Sequence, residues 1–138
     1  MVNIKINSLQ HIGIPVTDIN ASIAFYEGLG FQDVMPSTFV LNGEPGRVSM
    51  MRHKDIIIEI YQLPDGMLDE VRNRKNGHVD HVCFDVDDVD ATFAELKSAG
   101  YTLADEAPVF LPTFWSRGCK YFNIIGPDGE RLEFNQIR

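Results

Sequence analysis

Two histidines and two glutamates carry the most chemistry in this chain, because they come as a pair that recurs: His11 with Glu59, then His81 with Glu133. Two neutral imidazoles and two carboxylates offer two nitrogens and two oxygens with a net charge of −2. That donor set suits Zn²⁺, Ni²⁺, Co²⁺, Mn²⁺ or Fe²⁺, and six-coordinate binding leaves positions for water or substrate, which is the character of a catalytic rather than a closed structural centre. Any one of the four, taken alone, reads as a hydrogen-bonded or solvent-facing residue. Their equivalence under an internal repeat singles them out.

The repeat appears when the chain is slid against itself by 70 residues. His11-Ile12-Gly13-Ile14-Pro15-Val16-Thr17-Asp18 lies over His81-Val82-Cys83-Phe84-Asp85-Val86-Asp87-Asp88, and the register runs on to Phe31 over Tyr101 with 6 of 21 pairs identical. Arg47 to Leu63 aligns with Tyr121 to Ile137 at an offset of 74, placing Glu59 on Glu133 and Gln62 on Gln136. The 138 residues thus read as a single domain built of two repeats, about 8–64 and 78–137, joined by the polar stretch Leu68 to Gly77 with its Asn-Gly turn signal.

Each repeat has one plan. Leu9 to Val16 and Val79 to Val86 read as strands. Asp18 and Asp88 are helix N-caps, whose short carboxylates can accept the first orphan amide hydrogens. Ile19, Ile23 and Tyr26, matched by Val89, Phe93 and Leu96, give each helix an inward face, and Gly30 and Gly100 end the helices. Three strands follow in each: near Phe31 to Met35, Arg47 to Arg52 and Ile56 to Gln62, then near Tyr101 to Ala104, Lys120 to Ile125 and Glu130 to Gln136. The last two strands of each repeat form a hairpin, closed by His53-Lys54-Asp55 and by Gly126-Pro127-Asp128-Gly129. The fold class is α+β, as two βαβββ modules in tandem.

The strand period of two assigns faces. Ile12, Ile14 and Val16, like Val82, Phe84 and Val86, form the face that the helix covers, so His11 and His81 point to the other. Ile56, Ile58 and Ile60, with Leu132 and Phe134, do the same for the last strands and turn Glu59 and Glu133 away. The small neighbours Gly13 and Cys83 leave room on that uncovered face. A carboxylate there is costly to bury without a compensating charge, and a divalent cation supplies one.

Other polar residues carry less. His78 competes with His81 but lacks the register with His11, so it reads as a surface or turn residue. His53 reads as solvated in its hairpin. Asp85, Asp87, Asp88 and Asp90 read as a cap and a charged surface. No glycine-rich phosphate loop, Ser-His-Asp spacing or reactive-cysteine signature occurs. With 12 basic and 20 acidic side chains the net charge is −8, which repels phosphate backbones and anionic lipid, so nucleic acid and membrane are not expected partners. No apolar run is long enough to span a bilayer and no leader pattern opens the chain. Cys83 and Cys119 read as free thiols, and the expected location is cytoplasmic.

The paired modules, the opening HIGIPVTDINASIAFYEGLGF, the second HVCFDVDDVDATFAELKSAGY and the closing GPDGERLEF resemble the vicinal oxygen chelate superfamily, which includes glyoxalase I, bleomycin-resistance proteins, extradiol dioxygenases and methylmalonyl-CoA epimerase. The likeness covers about Leu9 to Gln136, and the full His/Glu/His/Glu set is closest to glyoxalase I. It implies one divalent metal per site, Ni or Zn first and Co, Mn or Fe otherwise, held by His11, Glu59, His81 and Glu133. It implies isomerisation of a 2-oxoaldehyde thiohemiacetal to a 2-hydroxyacyl thioester, with Glu133 as general base and Glu59 exchanging the proton on the other face. The alternatives are another metalloenzyme of the fold, a ring-cleaving dioxygenase or an epimerase, or a metal-free small-molecule-binding resistance protein. Bacterial glyoxalase I holds glutathione with an Arg and an Asn where this chain has Pro15 and Leu63, so the resemblance does not extend to glutathione. Phe114, Trp115 and Arg117, in the loop Phe110 to Gly118, would form an apolar lid with one anion-binding group over a small-molecule substrate. Members of the superfamily commonly pair, which implies a homodimer.

Overall fold

The computed structural model describes residues 2–28, 30–74, 77–125 and 131–138. They form two compact units, residues 11–80 and residues 1–10 with 81–138. The first strand, β1 (Ile6–Pro15), begins earlier than its hydrophobic pattern suggests, and its first five residues group with the unit that holds the second repeat.

In the unit of residues 11–80, β1 is followed by α1 (Ile19–Gly28), β2 (Gln32–Leu41), β3 (Glu44–His53) and β4 (Ile56–Gln62). The strand order is β2-β3-β4-β1. β3 is antiparallel to β2 and β4, whereas β4 runs parallel to β1 with Gly13 opposite Glu59. Helix α1 covers the sheet face carrying Ile14, Met51, Ile58 and Ile60, and Ile19 and Ile23 pack there. In the other unit β5 (His81–Val86), α3 (Val89–Ser98), β6 (Val109–Leu111), β7 (Cys119–Ile125) and β8 (Arg131–Ile137) repeat the plan in the order β5-β8-β7-β6. Here β5 and β8 are parallel, with Cys83 opposite Glu133. Val86, Val89, Phe93, Leu96, Phe122, Ile124 and Phe134 form the core, and Val2 and Ile4 pack against it.

The helix ends follow the sequence. Asp18 Oδ1 accepts from the amides of Asn20 (3.0 Å) and Ala21 (3.1 Å), and Asp88 Oδ1 accepts from Ala91 at 2.9 Å. Each helix closes on a positive-φ glycine, Gly30 at 91° and Gly100 at 81°. The next amide in each case, Phe31 or Tyr101, donates back to Tyr26 or Leu96, the paired arrangement of a Schellman cap. Gln62 and Gln136 have a role that their alignment alone does not reveal. Their side-chain oxygens accept from the amides of Ile19 (2.9 Å) and Val89 (3.3 Å), tying each last strand to the start of its helix. Asp88→Ala removes the acceptor for one orphan donor of α3, and is expected to cost about 1 kcal/mol in a urea melt.

Four local expectations need correction. The second strand runs through Pro36 to Leu41, because β2 lies at the end of its unit's strand order, where a missing ladder donor is tolerated. Tyr101 to Ala104 is reduced to a single bridge, Leu103 with Ile124; the Asp105 carboxylate takes the Asn123 amide at 2.7 Å in place of a strand partner. The polar joining stretch follows a 3-10 turn (Asp65–Met67) and itself contains a helix, α2 (Leu68–Asn73), which buries Leu68 and Val71. His53 is anchored, with Nδ1 2.9 Å from the Gly30 carbonyl and its ring against Phe31. The turn Gly126 to Gly129 and Asn76 lie outside the described residues.

Candidate metal centre

Each unit brings one histidine to one glutamate. In the unit of residues 11–80, β1 and β4 lie side by side and in parallel, so His11 and Glu59 share the face that α1 does not cover. His11 Nε2 stands 3.3 Å from Glu59 Oε2. In the other unit β5 and β8 do the same, and His81 Nε2 stands 3.6 Å from Glu133 Oε2. All four residues are buried, at 2% exposure for His11, 9% for Glu59, 7% for His81 and 8% for Glu133.

The donor atoms fit a divalent cation. Two ligands each bound at about 2.1 Å stand about 3 Å apart when they subtend a right angle at the ion. The observed nitrogen-to-oxygen separations of 3.3 and 3.6 Å need only small side-chain movement to reach that spacing. Imidazole nitrogen with carboxylate oxygen is a borderline donor set that transition metals accept.

The face around each pair differs between the units. Met50 pairs with Glu59 on β3, whereas Asn123 pairs with Glu133 on β7, so these two strands are offset by 73 residues rather than 74. Because a one-residue slip exchanges the faces of a strand, the equivalent of Met50 is Asn123 and not Ile124. Val48 and Met50 accordingly make the face beside Glu59 apolar, while Asn123 and Asn135 make the face beside Glu133 polar; all four side chains are buried. Cys83 does not merely leave room. Its Sγ lies 3.1 Å from Glu133 Oε1, within hydrogen-bond reach as a donor. Counting two residues on from Glu133 finds Asn135 in the sequence, but only the hairpin register finds Asn123.

A second feature escaped the sequence reading. Tyr61, two residues beyond Glu59 on the same face, is hydrogen-bonded to Asp80; burial, and then the Asp80 carboxylate, push its phenol well above the usual tyrosine range. Arg74 holds Asp80 at 3.0 Å and Glu70 at 2.7 Å. The bond to Glu70 is the main reason its guanidinium is raised further. A charged chain therefore ties α2 to β4 at the residue next but one to Glu59.

The three residues expected over the substrate are separated by their loop. Phe114 is buried, Trp115 is half-buried with a φ of 57°, and Arg117 is exposed. The loop returns to β7 through Gly118, at a φ of 83°, where a Cβ would stand 2.6 Å from the Phe110 ring. A separate cavity of about 570 Å³ in the unit of residues 11–80 is lined by Pro15, Val16, Phe25, Arg72 and His78, and includes neither His11 nor Glu59. Among the described residues no helix is long and apolar enough to cross a membrane.

Residues 10–112 match the Glyoxalase/Bleomycin resistance protein/Dioxygenase superfamily. Over 133 residues the chain is 35% identical to YwbC, an uncharacterized protein of Bacillus subtilis (strain 168), covering 93% of this chain and 96% of that one. Among solved structures, methylmalonyl-CoA epimerase from Mycobacterium tuberculosis superposes with a TM-score of 0.76 at 18% identity, covering 100% of this chain and 93% of that chain. A mutant 4-hydroxymandelate synthase from Streptomyces coelicolor gives 0.73 at 15% identity, covering 94% of this chain and 48% of that chain. At these identities the structural likenesses bear on the fold alone.

Proposed function

Because the chain belongs to the glyoxalase/bleomycin resistance protein/dioxygenase superfamily, we propose that it is a divalent-metal enzyme that moves a proton between adjacent carbons of a small carbonyl substrate. The glyoxalase I-like reaction, thiohemiacetal to 2-hydroxyacyl thioester, is the leading form. The observation that carries this reading is the buried His–Glu pair found at equivalent strand positions in each repeat.

In this reading His11, Glu59, His81 and Glu133 hold one ion, nickel or zinc first. When bound, the metal supplies electrostatic stabilisation of negative charge developing on the substrate oxygens. Glu133 removes the proton from the carbon beside the carbonyl and returns it to the former carbonyl carbon, while Glu59 exchanges a proton on the other face. The buried setting of both carboxylates keeps competing water from the reacting carbon. Phe114, Trp115 and Arg117 are kept as the proposed substrate contacts, with a small molecule and a second copy of this chain as partners, in the cytoplasm.

Epimerisation is the second reading, favoured by the likeness in fold to methylmalonyl-CoA epimerase. Both reactions begin with removal of a proton beside a carbonyl, so one experiment separates them. Metal-loaded protein is incubated in D₂O with a 2-oxoaldehyde plus a panel of thiols, and separately with methylmalonyl-CoA, and followed by proton NMR. Thioester formation that is lost in Glu133→Gln is the expected result. Deuterium entering methylmalonyl-CoA with no thioester formed would move the protein to the epimerase reading. No reaction with either would overturn the proposal.

A further inference from the structure

Cys83 is the position at which the two units differ most in donor chemistry. Its register partner is Glu133, as Gly13 is the register partner of Glu59. Where one unit has no side chain, the other has a fully buried thiol, at 0% exposure, with Sγ 3.1 Å from Glu133 Oε1. The other oxygen of the same carboxylate faces His81 Nε2 at 3.6 Å. Glu133 thus stands between an imidazole nitrogen and a thiol sulfur, and all three are turned to the face that α3 leaves uncovered.

An independent observation points to a ligand at this face. Asn123, opposite Glu133 on β7, is 6% exposed; its Nδ2 donates to Asp105 at 3.1 Å, but its buried Oδ1 has no hydrogen-bond partner. Asn135, two residues beyond Glu133, likewise buries an unpaired Oδ1. Buried acceptors are ordinarily satisfied. Two left open beside a carboxylate make an electron-rich surface that a cation, or water carried by one, would complete.

We infer that Cys83 is a sulfur ligand of the metal, so that this unit presents nitrogen, sulfur and oxygen donors and selects a borderline or soft divalent cation, zinc or cobalt, over magnesium, manganese or calcium. The inference rests on the metal reading above and deepens it. Sulfur coordinates as the thiolate, and the thiol proton leaves to solvent as the metal–sulfur bond forms. Thiolate is the donor that shifts preference away from the hard cations, which favour carboxylate, carbonyl and water. Cys119, the other buried cysteine, lies four residues before Asn123 along β7, too far along the strand to reach the same ion.

The test uses cobalt(II) as the probe. Apo-protein is titrated with cobalt while the visible ligand-field bands and the near-ultraviolet thiolate-to-cobalt charge-transfer band are recorded together, with Cys83→Ser and Cys119→Ser in parallel. The expected result is a charge-transfer band in the wild type and in Cys119→Ser, lost in Cys83→Ser while the ligand-field bands persist. Cobalt bound with ligand-field bands but no charge-transfer band in the wild type would overturn the role of Cys83 and leave the His/Glu reading standing. No cobalt bound at all would overturn both. X-ray absorption of the zinc-loaded wild type reads the same point without a variant: a sulfur scatterer in the coordination shell supports the inference, and an all-nitrogen-and-oxygen shell overturns it.

Discussion

Changing Glu59 and Glu133 together to glutamine is expected to take the protein from about one tightly held divalent ion per chain to none, read by elemental analysis of protein purified without chelator. The substitution keeps side-chain size and removes two negative charges. Neutral amides are poor partners for a transition-metal ion, and the two imidazoles that remain, even with the Cys83 thiol beside them, are too few donors with too little charge to hold it tightly. The fold should survive, because each glutamate is buried and a buried carboxylate without its cation is a cost rather than a support. Without metal, the double variant is therefore expected to melt no lower than the wild type, and with metal present the wild type alone should gain stability. Metal retained by the double variant would show that these carboxylates are not the ligands.

The largest effect on stability is expected from Phe122→Ala. Phe122 is fully buried in β7; it stacks on Phe134 with ring centroids 5.3 Å apart and meets Phe93 edge-on at 5.1 Å. It therefore joins β7, β8 and α3 in one cluster. Truncation removes its own burial and leaves a void that the two remaining rings cannot close, at a cost of about 3–5 kcal/mol. For a chain of this size that corresponds to a fall in Tm of roughly 10 °C or more. Calorimetry checks it, and a fall of only a few degrees would mean that the cluster collapses around the gap.

Much of the site was legible because period-two alternation and an internal repeat are both properties of sequence. The helix-covered faces, the Asp18 and Asp88 caps, the glycine stops and the parity of His11, Glu59, His81 and Glu133 all follow from spacing. What was not legible depends on pairing register or on tertiary context. A loop of different length between β7 and β8 shifts one hairpin strand by a residue, and that exchange puts Asn123, rather than Ile124, beside Glu133. Leu68 and Val71 look like isolated apolar residues in a charged stretch until α2 gives them a shared face. Pro36 argues against a strand unless its place at the end of the strand order is known. Tyr101 to Ala104 has strand-forming residues but meets β7 at one bridge, and no local signal marks Asp105 as the competitor for the Asn123 amide. The contact of Cys83 with Glu133 required a distance.

The partition of the chain has a consequence for the order in which it folds. Residues 11–80 form a unit continuous in sequence, whereas the other unit takes residues 1–10 from before that stretch and 81–138 from after it. Val2 and Ile4 lie against a core whose other members begin at Phe84, and Lys5 reaches Asp87 across 82 positions of chain. During synthesis the continuous unit can complete its sheet from residues already made. The first ten residues must wait for the last strand, β8, before their apolar side chains have a finished surface to cover. The loop-closure entropy of those distant contacts is lessened if the intervening residues have already collapsed. The continuous unit is thus the natural early partner in folding, and the other unit, with its two thiols, its two unpaired asparagine oxygens and its phenylalanine cluster, is completed last.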